Sequence, residues 1–273
     1  MKILNSQLDF TSFLTRLNEA PQKVLFLDYD GTLAPFHIAP DKAFPYPGVR
    51  EAIERLMKAP DIRLLIVTGR WTKDLFPLLR LETKPEIWGS HGLERLRPDG
   101  FYELALMDED ALQGLVAADE WIEKAGLSAR CEKKPGSLAI HWRGLDERQV
   151  KDIRDQAMPK LSIIAQGWQL QLKNFDGGIE LRIPSRNKGD AVRTVLEETD
   201  GDALAAYLGD DLTDEDAFGA IKGKGMGVLV RNELRATAAD LWIRPPDELL
   251  EFLNFWLPEY RSRSDVLRKM LGS

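Results

Sequence analysis

Apolar positions along the chain fall into two patterns. In the first, a short apolar stretch closes abruptly on small polar residues, the form that a buried parallel strand takes. Val24 to Leu27 ends in Asp28, Arg63 to Val67 ends in Thr68-Gly69-Arg70, and Ala205 to Leu208 ends in Gly209-Asp210-Asp211. In the second, apolar residues recur at helical spacing between those stretches, over Ser6–Asn18, Gly48–Lys58, Trp71–Leu81 and Lys188–Glu197, and again from Thr213. Glu86–Trp88, Val228–Val230 and Leu241–Ile243 add short strands, and Pro246–Leu257 reads as a helix opened by proline. Strand alternating with helix predicts an α/β fold, a doubly wound, Rossmann-like parallel sheet.

The alternation lapses from about Leu93. A hairpin through Pro98-Asp99-Gly100 is followed by a helix over Glu109–Lys124, strands over Ala129–Glu132 and Ser137–Trp142, a helix over Glu147–Ala157, and strands over Gln169–Leu172 and Gly178–Ile183. This is an α+β insert in a divided core: 1–92 as the first half of the core, 93–185 as the insert and 186–273 as the second half. Gly223-Lys224-Gly225-Met226-Gly227 does not fit the dinucleotide fingerprint and reads as a turn, and the charged stretch Arg261–Lys269 reads as a solvated helix or a frayed end.

Composition narrows the choice of partners. The 273 residues suit a core with a smaller insert. Forty-four acidic against thirty-seven basic residues, a net charge of −7, disfavour nucleic acid and anionic membrane, so a phosphorylated substrate needs local positive charge or a metal. The single Cys131 excludes an internal disulfide, and with only His37, His91 and His141 beside it a dedicated zinc site is not expected. No apolar run approaches the ~20 residues of a membrane span, and Met1 to Leu17 is too polar for a signal peptide, so a soluble, cytoplasmic chain is expected.

Parallel strands deliver their carboxyl ends to one edge of the sheet, so the polar groups after Leu27, Val67 and Leu208 should converge. Asp28 and Asp30, spaced i and i+2 with Gly31 permitting a sharp turn, can offer a carboxylate and a carbonyl to a hard cation. With Asp210, Asp211 and Asp214 they supply oxygens suited to Mg2+. Calcium in an EF-hand is excluded, because loop positions 6 and 12 would be Leu33 and Ala39. Thr68, the Gly69 amide and Arg70 are candidates to bind a phosphoryl group. Lys188, opening a helix after Asn187, brings a cation and a helix N-terminus to the same anion, although alone it reads equally as a surface lysine. Thr213 to Asp216 has the form of a helix cap, with Thr213 capping and Asp216 at the third helical position. P-loop, Gly-x-Ser-x-Gly and His-Glu-x-x-His motifs are absent. What remains is phosphoryl transfer to an aspartate. Asp28 is the nucleophile and Asp30 the acid and base, with Lys188 and Mg2+ balancing charge.

Asp28-Tyr29-Asp30-Gly31-Thr32-Leu33, Thr68-Gly69-Arg70, Lys188 and Gly209 to Asp216 together resemble the haloacid dehalogenase superfamily of aspartate-dependent phosphatases. Gly89-Ser90-His91-Gly92, Glu132-Lys133-Lys134, His141-Trp142-Arg143, Glu180-Leu181-Arg182 and Asn187-Lys188-Gly189 narrow the resemblance to trehalose-6-phosphate phosphatases. Thr68 stands where that family more often has Ser, and Lys133 where it often has Asn or Asp. The resemblance implies that the insert is a cap and that Glu132, Lys134 and Glu180 hold sugar hydroxyls of trehalose 6-phosphate, with His141 and Arg143 as further candidates. Spacing alone also allows Glu132, Lys134, His141 and Arg143 to be exposed strand faces. Other sugar phosphates such as mannosyl-3-phosphoglycerate, a phosphomutase, and a non-catalytic phosphosugar-binding protein are the alternatives. The intact pair Asp28 and Asp30 argues against the last.

Overall fold

The computed structural model describes residues 1–175, 177–184, 186–199, 201 and 203–261, which places the charged stretch beyond Arg261 outside the described residues. Among the described residues, 1–102 and 187–261 form one compact unit, and 103–186 a second. The chain begins with β1 (Lys2–Ile3), α1 (Phe10–Glu19), β2 (Lys23–Leu27), α2 (Val49–Lys58), β3 (Ile62–Val67), α3 (Thr72–Leu79), β4 (Glu86–Gly89), β5 (Glu94–Leu96) and β6 (Tyr102–Leu104). Next come α4 (Glu109–Lys124), β7 (Cys131–Lys134), β8 (Ser137–His141), α5 (Glu147–Gly167), β9 (Gln171–Phe175) and β10 (Gly178–Arg182). The chain closes with α6 (Lys188–Glu197), β11 (Leu204–Gly209), α7 (Glu215–Ile221), β12 (Gly225–Val230), β13 (Leu241–Ile243), α8 (Asp247–Phe255) and α9 (Pro258–Arg261).

The large sheet has the order β1-β13-β12-β11-β2-β3-β4-β5-β6, and the six strands from β13 to β4 are parallel. From β2 the chain steps one way, to β3 and β4, and later returns on the other side at β11. Winding therefore reverses beside β2, the place where a doubly wound sheet opens a ligand crevice. Every residue of β2 is buried, because the sheet is covered on both faces. Leu25 and Leu27 enter a core built with α1, α2, α3 and α8, while Val24 and Phe26 enter a second with α6 and α7. Each such side chain contributes about 1.5–3 kcal/mol of burial.

Glycines explain one departure from expectation. Gly225-Met226-Gly227 is not a turn but the start of β12, in register with Ala205 to Tyr207 of β11. A Cβ on Gly225 would lie 2.1 Å from the Ala205 carbonyl oxygen, so here glycine allows close strand approach.

The second unit is a four-stranded antiparallel sheet in the order β7-β8-β10-β9. Its register puts Cys131, Ile140 and Ile179 in one row and Leu138, Leu181 and Leu172 in another, on the face covered by α4 and α5. The alternate rows hold Glu132, Ala139, Glu180 and Lys173, then Lys134, Ser137, Arg182 and Gln171, so the opposite face is polar. Helix α5 runs well past Ala157, where the sequence pattern ends it, and carries Pro159 in its interior. Proline costs about 3 kcal/mol there. Leu161, Ile164 and Ala165 lie beyond it and are buried in the unit's core, and their combined burial offsets that cost.

Pro159→Ala should therefore raise the stability of the chain. We expect a gain of about 1–2 kcal/mol in denaturant unfolding: the restored helical hydrogen bond, less the entropy that proline removes from the unfolded chain. A fall in the midpoint would show that packing requires the proline bend.

Candidate active site

Strands β11, β2, β3 and β4 are neighbours, and their carboxyl ends bring Asp210, Asp28, Thr68 and Ser90 to one edge. After β2 the chain turns sharply, with the Tyr29 carbonyl accepting the amides of Leu33 (2.9 Å) and Ala34 (3.0 Å). Gly31 has φ +83°, and a Cβ there would lie 2.1 Å from Asp210 Oδ2, so only glycine fits both the turn and the space.

Asp28 is buried. Its Oδ1 accepts from Lys188 Nζ at 2.6 Å and its Oδ2 from Thr32 Oγ1 at 3.2 Å. Lys188 opens α6 behind a reciprocal cap, in which Asn187 Oδ1 accepts the Asp190 amide (3.0 Å) and Asp190 Oδ2 accepts the Asn187 amide (2.9 Å). The same ammonium donates to Asp214 Oδ1 at 2.7 Å. Asp214 is wholly buried and saturated: Oδ1 also takes the Tyr207 hydroxyl (2.6 Å), and Oδ2 takes the amides of Asp210 (3.1 Å) and Asp211 (2.9 Å). Asp210 differs. Its Oδ1 is buried and has no hydrogen-bond partner among the described residues.

Asp28, Asp210 and Asp214 each bring a carboxylate oxygen within 4.8 Å of the others. Burial above all, and then the Asp214 charge, push the Asp28 carboxyl up to about 7 against the pull of Lys188. Burial, followed by the Asp28 charge, holds Asp210 well above the usual carboxylate range. Burial works against the Lys188 ammonium, but Asp214 and Asp28 more than offset it and keep the lysine charged. Three buried carboxylates thus share one cation, and one oxygen is bare. A divalent ion with oxygen ligands corrects both defects, so the residues present fit such an ion.

The remaining candidate residues take different places. Asp30 is turned to Arg70, which donates Nε and Nη2 to its two oxygens at 2.6 Å each. Arg70 Nη1 reaches the Pro40 carbonyl (2.9 Å), and the guanidinium lies over the Tyr29 ring. Thr68 is buried, its Oγ1 accepting the Arg70 amide (3.1 Å) and its carbonyl the His91 amide (3.0 Å). A Cβ on Gly69 would sit 2.6 Å from His91 Cε1, so the phosphate-loop candidate is walled by a histidine. Asp211 is held by its main chain and lies outside the carboxylate cluster found among the described residues. Thr213 does not cap α7, which follows a 3-10 turn over Leu212–Asp214. Asp214 satisfies the amides of the turn instead, since a carboxylate anchored by Lys188 can accept two of them.

Within the second unit, Lys134 Nζ lies 2.9 Å from Glu180 Oε1, which also accepts from Ser137 Oγ (2.9 Å); Ser137 and Glu180 are buried, and the Lys134 side chain is 8% exposed. Glu132 Oε2 is 2.8 Å from His141 Nε2, both half-buried. Arg143 packs against the Gly177 turn, where a Cβ would approach its Nε to 3.0 Å. Lys134 and Glu180 are therefore not an exposed strand face.

Sequence pattern misses Tyr207 and Thr32. Tyr207 sits inside the apolar run of β11 and reads as core. The available signal is that a buried tyrosine hydroxyl needs a partner. Thr32 is part of the Asp28 motif without an evident role until the turn returns it to Asp28 Oδ2.

Comparison with known proteins adds the family. The trehalose-phosphatase family model matches residues 26–240. Probable trehalose-phosphate phosphatase H of Arabidopsis thaliana is 31% identical over 271 residues, covering 91% of this chain and 75% of that protein. Probable trehalose-phosphate phosphatase 4 of Oryza sativa subsp. japonica is 31% identical over 262 residues, covering 91% and 69%. The C-terminal domain of C. albicans trehalose-6-phosphate phosphatase superposes with a TM-score of 0.75 at 22% identity, covering 92% of this chain and 97% of that one, a shared fold.

Crowded carboxylates make the cation-free protein pH-sensitive. A carboxyl raised by folding binds its proton more tightly in the folded state, so stability is lost as pH rises from the ordinary carboxylate range through about 7. Asp210→Asn should therefore melt above the wild type in EDTA at pH 8, by on the order of 1 kcal/mol or about 2–4 °C, with the gap closing toward pH 5. A variant that melts below the wild type throughout would refute the crowding.

Proposed function

The chain belongs to the trehalose-phosphatase family and is a phosphatase, and we propose that it hydrolyses trehalose 6-phosphate to trehalose and phosphate through an aspartyl-phosphate on Asp28. The observation that carries this reading is the buried set Asp28, Lys188, Asp214 and Asp210 at the reversal of the sheet, with one carboxylate oxygen bare. Thr32 and Lys188 orient the Asp28 carboxylate for in-line attack on phosphorus. Asp30 leaves Arg70 and takes up a proton from solvent as substrate binds, and as the phosphorus–oxygen bond to the sugar breaks it gives that proton to the leaving oxygen. It then takes a proton from the water that attacks the aspartyl-phosphate, releasing phosphate and restoring Asp28. Before substrate binds Arg70 holds Asp30 by both oxygens, and Thr68 and the Gly69 amide receive the phosphoryl oxygens. Asp28 and Asp210 would hold Mg2+, with Asp214 fixing the turn that bears Asp210. The bound ion supplies positive charge against the cluster and the phosphoryl group.

On the polar face of the second unit, Glu132, Lys134 and Glu180 hydrogen-bond sugar hydroxyls in this proposal. His141 orients Glu132 by their contact, and Arg143 extends the surface at the same end of the sheet. Such charged groups lose their partners when a smaller phosphate binds, which penalises it. No helix of the described residues is long and apolar enough to cross a membrane, and a small phosphosugar is the partner this reading requires.

Asp28→Asn should abolish phosphate release from trehalose 6-phosphate by several powers of ten while the fold, followed by circular dichroism, survives. Activity within tenfold of wild type would exclude Asp28 as the nucleophile.

Glu132→Ala and Lys134→Ala should each lower kcat/KM for trehalose 6-phosphate by roughly tenfold to a thousandfold, the range of about 1.5–3 kcal/mol per charged hydrogen bond. For p-nitrophenyl phosphate both should be nearly neutral. Equal losses on the two substrates would remove these residues from the sugar site.

A further inference from the structure

The acidic turn after β11 is gripped through its main chain by the loop after β12. Arg235 donates from Nε to the Asp210 carbonyl (3.1 Å) and from Nη2 to the Asp211 carbonyl (2.7 Å), and Arg231 Nη1 adds a donor to the Asp210 carbonyl (3.3 Å). The third nitrogen of Arg235 pairs with Glu215 and donates to the Ala236 carbonyl (2.8 Å). Glu215 is fixed in turn by Thr237 Oγ1 (2.8 Å) and the Ala238 amide (2.7 Å). Every nitrogen of the guanidinium is committed, and its rigid fork spans two successive carbonyls.

The choice of acceptor matters. An arginine bound to the Asp210 carboxylate would fill the bare oxygen and compete with any cation. Bound to the carbonyls, Arg235 and Arg231 bring positive charge to a turn crowded with carboxylates and leave Asp210 Oδ1 without a partner among the described residues. The fork also fixes the peptide between Asp210 and Asp211, and with it the direction in which the Asp210 side chain leaves the main chain.

We propose that Arg235, braced by Glu215 and seconded by Arg231, is a positioning residue for the cation site, setting the affinity of Asp28 and Asp210 for a divalent ion without touching it. The proposal rests on the reading of those aspartates as a Mg2+ site. Groups that orient ligands from behind typically change metal affinity by about 10–100-fold. Lysine keeps the charge but lacks the rigid planar fork that matches two successive carbonyls, so it separates fork geometry from charge.

The test is calorimetric titration of Mg2+ into the full chain, without substrate, for wild type, Arg235→Lys and Arg235→Met, with melting in EDTA measured alongside. Both variants should stay folded in EDTA, melting below the wild type for the hydrogen bonds lost, and bind Mg2+ roughly 10–100-fold more weakly, the lysine nearly as weakly as the methionine. Wild-type affinity in the variants overturns the positioning role alone. Failure of both variants to fold makes Arg235 a folding element and also overturns it. A wild-type protein that takes up no Mg2+ overturns the cation reading itself, and this proposal with it.

Discussion

One buried ammonium holds the site together. Lys188 bonds Asp28, 160 residues away in sequence, and Asp214, and all three are withdrawn from water. Removing one partner of a buried charge pair leaves the other uncompensated, at a cost of about 3–5 kcal/mol. The ammonium thus fixes the end of β2 against the turn after β11, and the reciprocal cap of Asn187 and Asp190 fixes the ammonium at the start of α6. Both strands are apolar on both faces, so their polar ends are where such a bond can form.

Around that bond the structure keeps donors and acceptors unequal. Asp214 accepts four hydrogen bonds and has no capacity left for a ligand, whereas Asp210 keeps an oxygen bare. Tyr207, whose hydroxyl burial and Asp214 hold protonated, is one of the donors that saturate Asp214. Glycine at 31 leaves room for the Asp210 carboxylate, which no side chain at that position could do. A saturated carboxylate orients and an unsaturated one binds, and here the two roles fall on neighbours in one turn.

The second unit divides its labour by face. Helices α4 and α5 bury one side of the four-stranded sheet, and the alternation of strand residues sends Glu132, Lys134, Ser137, His141 and Glu180 to the other. The buried pair Lys134 and Glu180 is costly to maintain as structure alone, since isosteric apolar residues would pack at least as well.

Local pattern determined much of this protein. Continuous apolar stretches ending in Asp28, Thr68 and Asp210 announced parallel strands with their polar residues at one edge, helix α4 has the bounds its apolar spacing gives, and α6 opens after Asn187, which caps it. Tertiary structure decided the rest. Helix α5 crosses Pro159 because residues beyond it bury in a core that no local propensity describes. Gly225 belongs to a strand because β11 approaches too closely for a side chain, and Gly227 follows it in the same register. Five aspartates of similar motif rank, Asp28, Asp30, Asp210, Asp211 and Asp214, were separated only by their partners: Lys188 and Thr32, Arg70, none on the bare Oδ1 of Asp210, main-chain contacts, and a full set of donors. Periodicity reports which side of an element is apolar, and that is a local property. Which oxygen is left without a donor depends on groups brought from the far ends of the chain, and only the folded arrangement supplies them.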